Sequence, residues 1–168
     1  MRKIVIINGT GGSGKDSFVS FCSMFAKCKL VNQSTDDKVK EVAKDLGWGG
    51  GKDEVDRKFL SDLKKLSTDY NNGPFGSTVM RIETDYNTSL DDTIYFVHCR
   101  EPEEIEKFVN HFENECATLL IKRENHKTIG NYSDESVENY KYDVVFEFKD
   151  GDMEGMERTA VSYINNLI

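Results

Sequence analysis

Apolar residues follow two alternating rhythms along this chain. Lys3 leads into Ile4, Val5, Ile6 and Ile7, an unbroken run of the kind found in a strand buried on both faces. From Lys15 to Lys27 the period changes, and Phe18, Phe21, Cys22 and Phe25 recur at helical spacing. Lys29 to Gln33 predicts a short second strand. Thr35 to Leu46 predicts a helix with Val39, Val42, Ala43 and Leu46 on one face and Gly47 as its stop. Beyond a flexible joint at Gly49-Gly50-Gly51, Asp53 to Tyr70 predicts a long helix striped by Val55, Phe59, Leu63 and Leu66. Asn71-Asn72-Gly73-Pro74 ends it. Phe75, Val79, Ile82 and Tyr86 predict a further helix.

The alternation continues in the second half. Thr93 to His98 predicts a buried strand. Pro102 opens a helix at its first turn, with Glu103 and Glu104 at its positive end and Ile105, Phe108, Val109 and Phe112 as its apolar face. Ala117 to Ile121 and Tyr142 to Phe148 predict two more strands, separated by a polar stretch without apolar period from Lys122 to Tyr140. Asp150-Gly151 turns into a last helix carrying Met156, Ala160, Tyr163, Ile164 and Leu167. Strands alternating with helices predict an α/β fold in three layers, a five-stranded parallel sheet with helices on both faces, in a single domain over 1–168. Ligands of such folds lie at the carboxyl ends of the strands.

Between the first strand and the first helix stands Asn8-Gly9-Thr10-Gly11-Gly12-Ser13-Gly14-Lys15-Asp16-Ser17. Gly9-x-x-x-x-Gly14-Lys15 has the spacing of a phosphate-binding P-loop, in which backbone N–H groups and a helix N-terminus face a phosphate chain. A glycine turn that binds nothing would rarely fall between a strand and an amphipathic helix. Gly9-x-Gly11-x-x-Gly14 also fits a dinucleotide fingerprint, and Asp36 and Asp37 lie about 20 residues on, where a ribose-binding acid belongs. Lys15 argues for the P-loop over the dinucleotide fold, which has no use for it. The ATP-binding residues expected are therefore Gly9, Gly11, Gly12, Ser13, Gly14, Lys15, Asp16 and Ser17, and the fold expected is that of the P-loop NTPases. The position after the lysine, usually a Ser or Thr that binds magnesium, holds Asp16. Asp16 is still a hard oxygen ligand, so Asp16 and Ser17 are the candidate metal contacts.

Composition narrows the partners. The 168 residues carry a net charge of −8, which argues against a nucleic-acid polymer as partner. An acidic chain that binds phosphates must concentrate its cations, and there are only six arginines: Arg2, Arg57, Arg81, Arg100, Arg123 and Arg158. Cys22, Cys28, Cys99 and Cys116 show no metal spacing and read as reduced thiols. His111-x-Glu113 lacks the P-C-x-x-C of a zinc deaminase. With no apolar run long enough to span a membrane and a first strand at the N-terminus, the expectation is a cytoplasmic protein without membrane partner. A homodimer stays open.

The chain resembles the P-loop nucleoside monophosphate kinases, most closely the phage-type deoxynucleoside monophosphate kinases. The likeness runs end to end but is patchy outside a few motifs. Ser13-Gly14-Lys15-Asp16-Ser17 matches the family's Ser-Gly-Lys-Asp-Thr, so Asp16 becomes a family mark. Lys38-Val39-Lys40-Glu41 sits at the family's lysine-bearing helix start. His98-Cys99-Arg100 and Glu104 occupy the Asp-x-Arg step and the glutamate after it. Arg123 matches the arginine after the fourth strand, and Asp134-Glu135 the acidic element of the lid. Asp143-Val144-Val145 and Asp150-Gly151 echo the closing strand and turn.

The resemblance implies phosphoryl transfer from ATP, with Mg2+, to a nucleoside monophosphate. It implies Lys15, Asp16 and Arg123 as catalytic residues. Asp37, Lys40, Arg57 and Arg100 are the acceptor candidates, within an acceptor-binding helical region over 33–90, and 123–140 is the lid. His98 departs from the family's aspartate, and neutral histidine is a poor magnesium ligand. Asp16 is then a sufficient acidic contact, helped by Asp36, Asp37 or Glu135; or His98 bonds a phosphate or a base; or the chain binds nucleotides and transfers phosphate poorly. The alternative to the kinase is accordingly a nucleotide-binding sensor or regulator on the same fold.

Overall fold

The structure, a computed structural model, describes residues 1–89, 91–124 and 136–167. Its sheet is ordered β2-β3-β1-β4-β5, built from β1 (Arg2–Asn8), β2 (Lys29–Ser34), β3 (Thr93–His98), β4 (Cys116–Arg123) and β5 (Val144–Phe148). β1 is central. It runs parallel to β3, with Ile7 opposite His98, and parallel to β4, with Asn8 opposite Leu120. β4 and β5 are parallel as well. The predicted architecture, a five-stranded parallel sheet between helical layers, is the observed one.

Helices α1 (Lys15–Phe25), α5 (Pro102–Phe112) and α6 (Met153–Leu167) cover this sheet. Side chains alternate across a strand, so β1 feeds two cores. Val5 and Ile7 join Phe18, Val19 and Cys22 of α1 and Met156, Ala160, Tyr163 and Ile164 of α6. Ile4 and Ile6 point the other way and are equally buried, as are Ile105, Phe108 and Phe112 of α5. Each Val, Ile, Phe or Met side chain among them, when fully buried, contributes about 1.5–3 kcal/mol. The ends of elements depart from the sequence reading. β4 is longer at both ends than Ala117 to Ile121, because its neighbours β1 and β5 overlap different parts of it. Tyr142 stands before β5 rather than in it.

The chain divides into two compact units, Met1–Asn32 with Leu90–Ile168, and Gln33–Ser89. The second contains α2 (Asp37–Asp45), α3 (Glu54–Asn71) and α4 (Gly73–Ser89). Gly47 ends α2 as predicted: at φ +98° it lets the Trp48 N–H reach the Ala43 carbonyl at 2.8 Å. The Asp53 carboxylate caps α3 by accepting the Asp56 N–H at 2.8 Å. Asn72, left-handed at φ 55°, separates α3 from α4, which starts at Gly73 and not at Phe75. The predicted α3 stripe is partly wrong. Val55 and Leu66 are 78% and 68% exposed, and the covered face turns toward Phe59, Leu60, Leu63 and Ser67.

Burial also sets an alkaline limit. The Cys22 and Cys116 thiols are pushed from 9.0 up to about 12, chiefly by desolvation. A folded-state pKa above the unfolded one gives stability that is complete below pH 9 and is lost as pH rises toward 12. The urea midpoint is therefore expected to fall over that range, and to fall less in a Cys22→Ala, Cys116→Ala double variant. Equal slopes for the two proteins would refute the assignment.

Candidate functional site

The glycine loop leaves the carboxyl end of β1, where neighbouring connections run to opposite sides of the sheet, the crevice in which parallel α/β folds hold ligands. Gly12 and Gly14 take positive φ of 76° and 96°, as successive inward-turned N–H groups require. Gly9 is fixed by space: a Cβ there would stand 2.4 Å from the Ile121 carbonyl oxygen of β4 and 2.5 Å from Ser13 Oγ. Ser13 is fully buried, and its N–H donates to the Thr10 carbonyl at 3.2 Å. The Lys15 ammonium folds back over the loop and donates to the carbonyls of Gly9 (2.6 Å) and Thr10 (2.9 Å).

Two features fit a phosphate chain and its metal. The N-cap of α1 is Gly14, which brings no side-chain acceptor of its own to the positive helix end. Asp16 in the first turn is 94% exposed and presents hard oxygens there. Among the described residues no group of three His, Cys, Asp or Glu forms a metal cage. Magnesium takes one or two protein ligands and leaves the rest to phosphate and water, and Asp16 and Ser17 could supply those two. The dinucleotide reading fits less well, because that fold orders its strands 3-2-1-4-5.

His98, at the end of β3, is 17% exposed. Its Nε2 lies 2.8 Å from Asn32 Oδ1 and 3.8 Å from Asp16 Oδ1. An amide oxygen only accepts, so Nε2 carries the proton and donates to Asn32. His98 thus ties the end of β3 to β2 beside Asp16. Arg123, the last residue of β4, places Nη1 3.0 Å from Asp150 Oδ1, in the turn before α6. Next to it, Lys122 pairs with Glu138 at 2.9 Å. Glu135 lies outside the described residues.

Of the acceptor candidates, Arg100 follows β3, and its carbonyl accepts from Asn8 Nδ2 at 3.1 Å. Asp37, Lys40 and Arg57 belong to the Gln33–Ser89 unit. There the Asp37 carboxylate accepts the Ser34 N–H at 2.8 Å and lies 3.6 Å from Arg81 Nη1. Arg81 also meets Glu41 at 2.8 Å, and Lys64, only 17% exposed, meets Asp36 at 2.8 Å. Lys40 and Arg57 are exposed. Sequence reasoning passed over Lys64 and Arg81, which sit among charged residues that look like the wet face of helices.

It also passed over Asn8 and Tyr142. Asn8 is completely buried at the foot of the loop, and its Nδ2 donates to the Tyr142 hydroxyl at 2.7 Å. Burial pushes the Tyr142 phenol up to about 12, with the bond from Asn8 opposing. An asparagine ending an apolar strand was the one available signal.

No family model matches the chain, and no curated protein matches it. Solved structures do. A putative kinase from Chloroflexus aurantiacus aligns with 99% of this chain and 98% of its own, at 11% identity and a TM-score of 0.54. Shikimate kinase from Aquifex aeolicus aligns with 99% of this chain and 97% of its own, at 14% identity and a TM-score of 0.48. An APS kinase variant from Mycobacterium tuberculosis aligns over 97% and 96%, at 14% identity and a TM-score of 0.47. What the chain shares with the Chloroflexus protein over nearly its whole length is its fold, the three-layer parallel sheet of the P-loop NTPases.

Proposed function

We propose that this chain is an ATP-dependent phosphotransferase acting on a nucleoside monophosphate. The observation that carries the reading is the glycine loop at the end of the central strand, with Lys15 folded over it and a helix start behind it whose N-cap is Gly14. The similar fold of a putative kinase supports phosphoryl transfer in general. The nucleoside monophosphate, and a deoxy one first, rests on the family resemblance of Ser13 to Ser17, Arg100 and Arg123.

Phosphoryl transfer needs positioning and charge neutralisation more than covalent help. In this reading the loop N–H groups hold the phosphate chain, and Lys15 exchanges two backbone carbonyls for the outer phosphates. The acceptor's phosphate oxygen attacks the γ-phosphorus and the β–γ bond breaks, giving ADP and a nucleoside diphosphate. Arg100 meets the acceptor's charge, with Asp37, Lys40 and Arg57 as further acceptor contacts. Arg123 exchanges Asp150 for the transferring group. Asp16 and Ser17 would hold magnesium, which would supply further charge neutralisation.

His98 favours a second reading. The residue that stands where the family has an aspartate is engaged with Asn32, so a nucleotide sensor on this fold remains in play. The test is coupled ADP release with Mg-ATP against a panel of ribo- and deoxyribonucleoside monophosphates, run beside direct ATP binding. Turnover on one or two acceptors establishes the kinase. ATP binding with no turnover across the panel favours the sensor, and no ATP binding ends both readings. His98→Asp separates them again. In an active kinase it breaks the bond to Asn32 and lowers turnover about tenfold, whereas in a sensor it raises transfer from near zero.

A further inference from the structure

Beneath the loop runs a branched chain of hydrogen bonds. Asn8 Oδ1 accepts the Gly9 N–H at 2.8 Å. Its Nδ2 spends both protons, one on the Arg100 carbonyl at 3.1 Å and one on the Tyr142 hydroxyl at 2.7 Å. The Tyr142 hydroxyl passes its own proton to the Val137 carbonyl at 2.8 Å. Both side chains are buried, and burial keeps the phenol protonated and able to donate.

We propose that Asn8 and Tyr142 are positioning residues for the phosphate-binding loop, fixing the first glycine of the loop and the backbone of Arg100 in one polyphosphate-ready arrangement. The proposal rests on the reading of this loop as a polyphosphate site. An amide is nearly symmetric in shape, so only its partners decide which end faces Gly9. Tyr142 accepts from Nδ2, the Arg100 carbonyl can only accept, and the Gly9 N–H can only donate. Together they allow a single orientation. Remove the phenolic oxygen, and one Nδ2 proton loses its acceptor in a dry site, where an unmade bond is expensive. The amide is then held by two partners, the Arg100 carbonyl and the Gly9 N–H, where three had held it, and it fixes the Gly9 N–H less firmly. The loop spends part of its time in conformations that do not bind, and apparent affinity falls by the fraction lost. Such an effect acts on the phosphates and is indifferent to the base.

The experiment is calorimetric titration of Mg-ATP and of Mg-tripolyphosphate into wild type, Tyr142→Phe and Ile164→Val, with melting curves for all three. Ile164 is fully buried in the core between sheet and α6, away from the network, and controls for lost stability alone. Expected is a Kd about tenfold higher for both ligands in Tyr142→Phe. Ile164→Val should lower the melting temperature and bind like wild type. Wild-type affinity in Tyr142→Phe, or equal losses in the two variants, overturns the proposal and leaves the kinase reading standing. A wild type that binds neither ligand overturns both. If Tyr142→Phe does not fold, Asn8→Ser cuts the same chain at its other end and is judged by the same criteria.

Discussion

Lys15→Ala is expected to abolish ATP-dependent turnover, by about a thousandfold, the scale seen when one fixed charge or donor is removed from a phosphoryl- or acyl-transfer site. The lysine is the only side chain of the loop that brings a full positive charge to the outer phosphates. Its hydrogen bonds in the structure are to the Gly9 and Thr10 carbonyls, loop groups that a bound phosphate chain would leave to water. The residue is half-buried and outside the hydrophobic core, so the variant should fold and melt close to wild type. Coupled ADP release and a melting curve check both halves. Turnover within tenfold of wild type would remove Lys15 from the mechanism.

Gly9→Ala is expected to be nearly as damaging, for a steric reason. The added Cβ meets a backbone oxygen, that of Ile121 at 2.4 Å, and the glycine sits at φ +155°. Ile121 cannot withdraw, because β4 is paired on both sides, with β1 and with β5. The loop has to move instead. Mg-tripolyphosphate affinity should fall about a hundredfold, with about 2–4 kcal/mol lost from stability. The same substitution at Gly76 provides the contrast. That residue lies inside α4 at ordinary helical φ, its new Cβ would meet nothing within 4 Å, and Gly76→Ala should stabilise by about 0.5–1 kcal/mol. Binding at wild-type strength in Gly9→Ala would show that the close approach to β4 is not needed.

What could be read from the sequence was what depends on neighbours in the chain. The run Ile4 to Ile7, the Phe18 and Cys22 face, and Gly47 as a helix stop each rest on residues a few positions apart, and each stands in the structure. The α3 stripe failed at Val55 and Leu66 because a helical period allows two adjacent stripes, and only the packing of α2 and α4 against α3 selects one. Asn8 could be seen to end an apolar strand, but its bonds could not be read. Its partners are 92 and 134 residues further on, and no local pattern announces a bond across that distance. Asp37 stood out as an exposed acid at a helix start. In the structure its carboxylate accepts the Ser34 N–H and approaches Arg81, a pairing that needs α4 to be in place.

The central position of β1 has a consequence for the order of assembly. The strand made first is the one whose partners are made late: Arg2 pairs with Thr93, and Ile4 with Cys116. Contacts so distant in sequence slow folding, since the intervening chain must be closed into a loop before they reward it. A chain emerging from the ribosome therefore carries its glycine loop long before anything can shape it. The Ile121 carbonyl that crowds Gly9 and the Tyr142 hydroxyl that steadies Asn8 both arrive with the last third of the polypeptide. On the proposed function, nucleotide cannot rescue a partly synthesised chain by binding early, and the capacity to bind would mark a molecule whose sheet is assembled.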